Sequence, residues 1–73
     1  MATYPIDDNY EATVSRDGKV GSRLYRSTAS IVQKSTQKIV HRVYGEGAAA
    51  TAADRRAVDE ARYWVASHAR DDE

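Results

Sequence analysis

The chain has no cysteine and no phenylalanine, and only one proline, one methionine and one tryptophan among its 73 residues. Without cysteine no disulfide can staple the fold and no thiolate can hold zinc, so stability rests on packing or on a partner that supplies buried surface. Without phenylalanine the core draws on Tyr, Val, Ile, Leu, Ala and Trp64. No apolar run approaches the ~20 residues that cross a bilayer. The opening stretch "MATYPIDDNYE" carries acids where a secretory signal needs a basic start and an apolar centre. The expectation is a cytoplasmic protein without a membrane partner. A chain this short buries only about 60% of its unfolded surface and can build one core, so residues 1–73 are read as a single small domain.

Net charge is also lacking, but its zero is a cancellation. Residues 1–15 hold three acids and no base, giving −3. Residues 16–42 hold Arg16, Lys19, Arg23, Arg26, Lys34, Lys38 and Arg42 against Asp17 alone, giving +6. Residues 43–73 hold four arginines against seven acids, giving −3. Segregation of this kind bears on association and steering more than on fold.

What is present is a set of periodic segments. Tyr10, Ala12 and Val14 alternate with Glu11, Thr13 and Ser15, the period of a half-buried strand. Asp17–Gly18 is a turn signal, and Val20, Leu24 and Tyr25 suit a returning strand. A loop with an odd number of residues pairs Val14 with Ser22, Ala12 with Leu24 and Tyr10 with Arg26. It sets Glu11, Thr13, Ser15, Gly21, Arg23 and Tyr25 together on an uncovered face. The stretch "STASIVQKST" (27–36) mixes strand formers with bend formers and is split between the two. "QKIVHRVYG" reads as a strand, apolar on both faces and so central or partly covered, ended by Gly45 and Gly47. Thr51, three residues before Asp54, resembles a capping box and opens a helix from about Ala52 to Arg70. Ala53, Ala57, Val58, Ala61, Trp64, Val65 and His68 form its stripe toward the sheet. Arg55 with Asp59 and Arg56 with Glu60 stand four apart on the exposed side. The tail "RDDE" frays. The fold class is therefore α+β: a three- to four-stranded antiparallel sheet over 10–45, followed by one long C-terminal helix over 51–70 packed on one face.

No residues assemble into catalytic machinery. There is no nucleophile elbow, and neither His41 nor His68 has a local acid partner, so both are read as packing or surface residues and no metal is assigned. "GEG" at 45–47 lacks the Lys-Ser/Thr of a phosphate loop. The chain is read as a non-enzyme with no cofactor and no small-molecule substrate. The basic block is the constellation with a binding role: Arg16, Lys19, Arg23, Arg26, Lys34, Lys38 and Arg42 can meet phosphates, and Tyr25 or Tyr44 can stack on a base. The plain alternative is that these charges solvate the sheet and guard its edges. In 1–9, Tyr4, Pro5 and Ile6, followed by Tyr10, set apolar groups in an acidic leader. This stretch reads either as a flexible docking segment with aromatic anchors or as a segment packed across the sheet as an edge.

In its 73-residue size, its cysteine-free, Ala- and Arg-rich composition and its "MATYPIDDNYEATVSR" leader, the whole chain resembles the small transcription regulators of lytic Xanthomonas phage. The resemblance implies a protein that docks on the core subunits of host RNA polymerase near the RNA exit channel. There it would inhibit initiation and act as an antiterminator, with nascent RNA nearby. The alternative from the residues alone is an autonomous nucleic-acid-binding domain using a basic antiparallel sheet.

Overall fold

In the computed structural model, which describes residues 2–68, the chain forms four strands and then one helix. β1 (Ala2–Pro5), β2 (Tyr10–Gly21), β3 (Leu24–Gln33) and β4 (Lys38–Gly47) follow one another as neighbours in a single antiparallel sheet. The helix α1 (Ala50–His68) packs on one face. The α+β class and the sheet-then-helix order are as the periodicities predict. The first strand comes from the leader: residues 2–5 are an edge strand paired with 11–14 of β2.

The turn at 17–18 is the main correction. β2 runs through it, and the hairpin closes at Ser22–Arg23, with Gly21 opposite Leu24. Asp17 instead sits in a register shift, where Gly18 adopts a φ of 98° that an L side chain rarely takes. A glycine able to take positive φ serves a turn or a bulge equally well, and here it serves the bulge. The Asp17 carboxylate also accepts a bond from the Thr28 hydroxyl across the strand pair, at 2.6 Å. Val14 therefore faces Ala29, Ala12 faces Ile31 and Tyr10 faces Gln33, not Ser22, Leu24 and Arg26. Tyr25 falls on the helix side, in alternation with Ser27 and Ala29, and Arg23 lies in the turn beyond a second shift between Lys19 and Gly21. The two shifts together leave the parity of the ladder unchanged; the odd loop is wrong because Val20 and Leu24, 42% and 38% exposed, do not share the covered face with Ala12 and Val14.

Residues 27–36 also resolve. Ser27, Ala29 and Ile31 are fully buried and alternate along β3, and 34–37 form a tight turn in which Gln37, at φ 58°, donates its N–H to the Gln33 carbonyl. Asp7 closes the first turn, its carboxylate accepting from the N–H groups of Asn9 and Tyr10 at 2.8 Å each.

The core is a seam of small side chains. Ala12, Val14, Ala29 and Ile31 of the sheet meet Ala57, Val58, Ala61 and Val65 of the helix, with Tyr4, Ile6, Tyr10, Val43 and Trp64 packed around them. Gly45, expected to end its strand, lies inside β4 because the helix backbone rests on it. A Cβ there would come 2.5 Å from the Ala53 carbonyl oxygen and also strike the Ala57 nitrogen. β4 itself is an edge strand, not a central one. The helix starts at Ala50, so Thr51 lies in its first turn and not at its cap. Tyr63, next to Trp64 on the helix, is 72% exposed and lies outside the seam. The expected end of the helix at Arg70 and the tail "RDDE" lie outside the described residues.

Candidate interaction surface

Cross-strand partners share a face, so the pairing register sorts every sheet residue. Toward the helix lie the rows Tyr4–Ala12–Ile31–His41, Ala2–Val14–Ala29–Val43 and Arg16–Ser27–Gly45. On the uncovered face lie Pro5–Glu11–Val32–Ile39, Thr3–Thr13–Ser30–Arg42 and Ser15–Thr28–Tyr44. Gly18, Arg26 and Glu46 continue that face toward the hairpin.

The basic block disperses over this frame. Arg16 lies on the helix side, where its guanidinium meets the Asp54 carboxylate at 3.0 Å. The other Asp54 oxygen accepts from the buried Ser27 hydroxyl, so Asp54 ties the helix to β2 and β3 at once. This carboxylate, read as a capping acid, is a lock between layers. Arg26 pairs with Glu46 at 3.3 Å and sits 5.9 Å from the Tyr44 ring centre. Lys19 and Arg23 belong to the hairpin end of β3, while Lys34 and Lys38 belong to its opposite end. Arg42 is exposed in the middle of the uncovered face. Tyr25 is half-buried on the helix side, away from the other candidates for base stacking. Glu11, Asp17 and Glu46 share the uncovered region with Arg26 and Arg42, so its charge is mixed. Among the described residues the ion pairs are Arg16–Asp54 and Arg26–Glu46, and the four-apart pairs on the helix do not close.

Of the leader residues, Tyr4, Ile6 and Tyr10 are half-buried against the core, and Pro5 is exposed at the end of β1. Their apolar surface is largely spent within the fold. Beside them a groove of about 390 Å³ runs between β1 and the helix, lined by Tyr4, Arg16, Asp54, Arg55, Asp59 and Arg62 among others. Both histidines lie flat on Trp64, His41 with ring centres 4.8 Å apart and His68 with 4.5 Å, and His68 Nδ1 is 3.0 Å from the Trp64 carbonyl.

The sequence reading passed over one feature of the uncovered face. Ile39 is 49% exposed and Tyr44 58%, with half-buried Val32 beside Ile39, while Val40, 41% exposed, is the extra residue of a register shift between them. Apolar residues on both sides of "KIVHRVYG" are the signal for it in the sequence, one that fits a central or partly covered strand as well as an exposed apolar face.

The fold and this surface define a small α+β domain with a helix on one face of its sheet and an apolar, mixed-charge patch on the other. No family model, curated protein or solved structure matches the chain. No helix among the described residues is long and apolar enough to cross a membrane.

Proposed function

We propose that the protein is a non-enzymatic docking module that grips a protein partner with the uncovered face of its sheet along β3 and β4. The observation that carries the reading is a pair of apolar stations on that face, Val32 with Ile39 and, beyond Arg42, Tyr44 beside the Arg26–Glu46 pair. An arginine set between apolar groups, with an exposed tyrosine, supplies the residue types that concentrate binding energy at protein interfaces. The partner to test first is bacterial RNA polymerase core, which the phage-regulator resemblance names. On that reading the protein works in the host cytoplasm, inhibiting initiation and promoting antitermination.

A second reading, as a nucleic-acid binder, draws on Arg26 and Arg42 flanking exposed Tyr44, with Lys19 and Arg23 farther along the hairpin. Glu11, Asp17 and Glu46 weigh against it, since they repel phosphates from the same region. One experiment separates the two. Tagged protein is used to capture partners from bacterial lysate at low and moderate salt, with and without nuclease. The expected result is recovery of polymerase subunits that survives nuclease and is lost with Tyr44→Ser, accompanied by readthrough at intrinsic terminators in purified transcription reactions. Recovery of nucleic acid alone, fading as salt rises, supports the second reading and rejects the first.

A further inference from the structure

We propose that two copies of this chain pair through their β4 edges, in antiparallel register with Tyr44 opposite Tyr44 across a two-fold axis, forming one eight-stranded sheet. The inference is independent of the partner reading, because it is tested on the protein alone.

Three observations converge on it. Among the described residues β4 is the last strand of the sheet and contains no proline; its register shift lies at Val40, and the stretch from His41 to Gly47 pairs regularly with β3. An edge of that length is a template for another strand unless something blunts it. Among the described residues Tyr44, 58% exposed, is the large apolar side chain at the centre of the paired stretch, which in this register runs from His41 to Gly47 of each copy. Tyr63 lies on the helix flank above it: Thr51, Arg55, Val58 and Arg62 turn toward the β1 groove, so helical spacing sends Arg56, Glu60 and Tyr63 to the other side. The residues of this margin are also self-complementary. Arg42 and Glu46 stand two positions either side of Tyr44, on the same face. A Tyr44-centred antiparallel register therefore places each Arg42 opposite Glu46 of the second copy. It leaves both helices on the same side of the joined sheet, where Arg56 and Glu60 of each flank again offer opposite charges. Centring the pairing on Arg42 would instead set like charges face to face, which opposes pairing. The single-chain core gives the association a physical motive: among the described residues Ile31 is the only large apolar side chain that is fully buried, and chains this small gain from added buried surface.

The test is sedimentation velocity on the full chain across a concentration series, with circular dichroism to verify that each variant folds. Wild type is expected to sediment at twice its 8.1 kDa chain mass. Arg42→Glu and Glu46→Arg each set two like-charge pairs in a homodimer and are expected to weaken it on the order of tenfold. An equimolar mixture of the two variants restores both opposite-charge pairs and is expected to recover the two-chain species. Because the chain is free of cysteine, Tyr44→Cys gives a second measurement that does not depend on charge. Directly opposed residues bring their Cβ atoms to within about 5 Å, so mild oxidation is expected to link two Tyr44→Cys chains, while Ser22→Cys at the hairpin turn stays unlinked. A wild type that stays monomeric throughout the series overturns the proposal. So does a mixture that fails to recover dimer, or linkage at Ser22→Cys equal to that at Tyr44→Cys.

Discussion

The two margins of the sheet are finished in different ways. At the β1 margin the edge strand has four residues and ends at Pro5. The neighbouring surface is a polar groove where Arg16, Asp54 and Ser27 tie helix to sheet. At the β4 margin the strand has ten residues, the helix is seated directly on glycine backbone, and Ile39, Val40 and Tyr44 face outward. A short edge with a proline and nearby charges resists adding a strand, while a long edge rich in apolar groups invites one. The contrast assigns self-contained structure to the first margin and association to the second.

Substitution at the β4 seam tests the contrast most severely. Gly45→Val drives a branched side chain into the helix backbone at Ala53 and Ala57, where no side chain can move aside. A loss of about 3 kcal/mol or more is expected, enough to unfold a domain with so small a core, read as loss of the cooperative melt in circular dichroism. Next comes the polar lock on the other margin. Asp54→Ala strands the fully buried Ser27 hydroxyl and releases Arg16, with an expected cost of about 2 kcal/mol in urea unfolding. Adding Ser27→Ala is expected to recover part of that cost, because the orphaned hydroxyl is then gone. If Asp54→Ala proves costlier than Gly45→Val, the lock and not the glycine seam seats the helix. The smallest effect belongs to Arg26→Ala on the uncovered face. Its pair with Glu46 is 43–44% exposed, so stability is expected to change by less than about 0.5 kcal/mol. A larger loss would give this face a structural role and weaken its assignment as a surface kept for a partner.

The helix was the most legible element, since Ala53, Ala57, Val58, Ala61 and Val65, expected on its inner stripe, are its buried residues. Strand β2 was legible over Tyr10–Val14 for the same reason, a regular period written in apolar side chains. β3 was obscured because two of its inward positions, Ser27 and Ala29, are too small to register as apolar yet the right size beneath a closely seated helix. The hairpin misled because glycine at position 18 announces a positive φ without saying whether a turn or a bulge will use it. The true turn, Ser22–Arg23, contains neither Gly nor Pro. Asp54 was unreadable as a lock because its partners, Arg16 and Ser27, are 38 and 27 positions away. The basic block was plain in the sequence, but its dispersal followed from strand register, which two shifts in β2 and one in β4 alter.

Trp64, pressed between His41 on the sheet and His68 on its own helix, gives the molecule an internal optical gauge. It is the only indole in the chain, and one of its two stacking neighbours belongs to the opposite layer. Any event that lifts the helix end from β4 parts the indole from His41 while leaving His68 in place, altering its emission before the helical signal is lost. Comparing tryptophan fluorescence with far-ultraviolet dichroism along one unfolding curve would thus show whether the two layers separate before the helix melts, with no label attached.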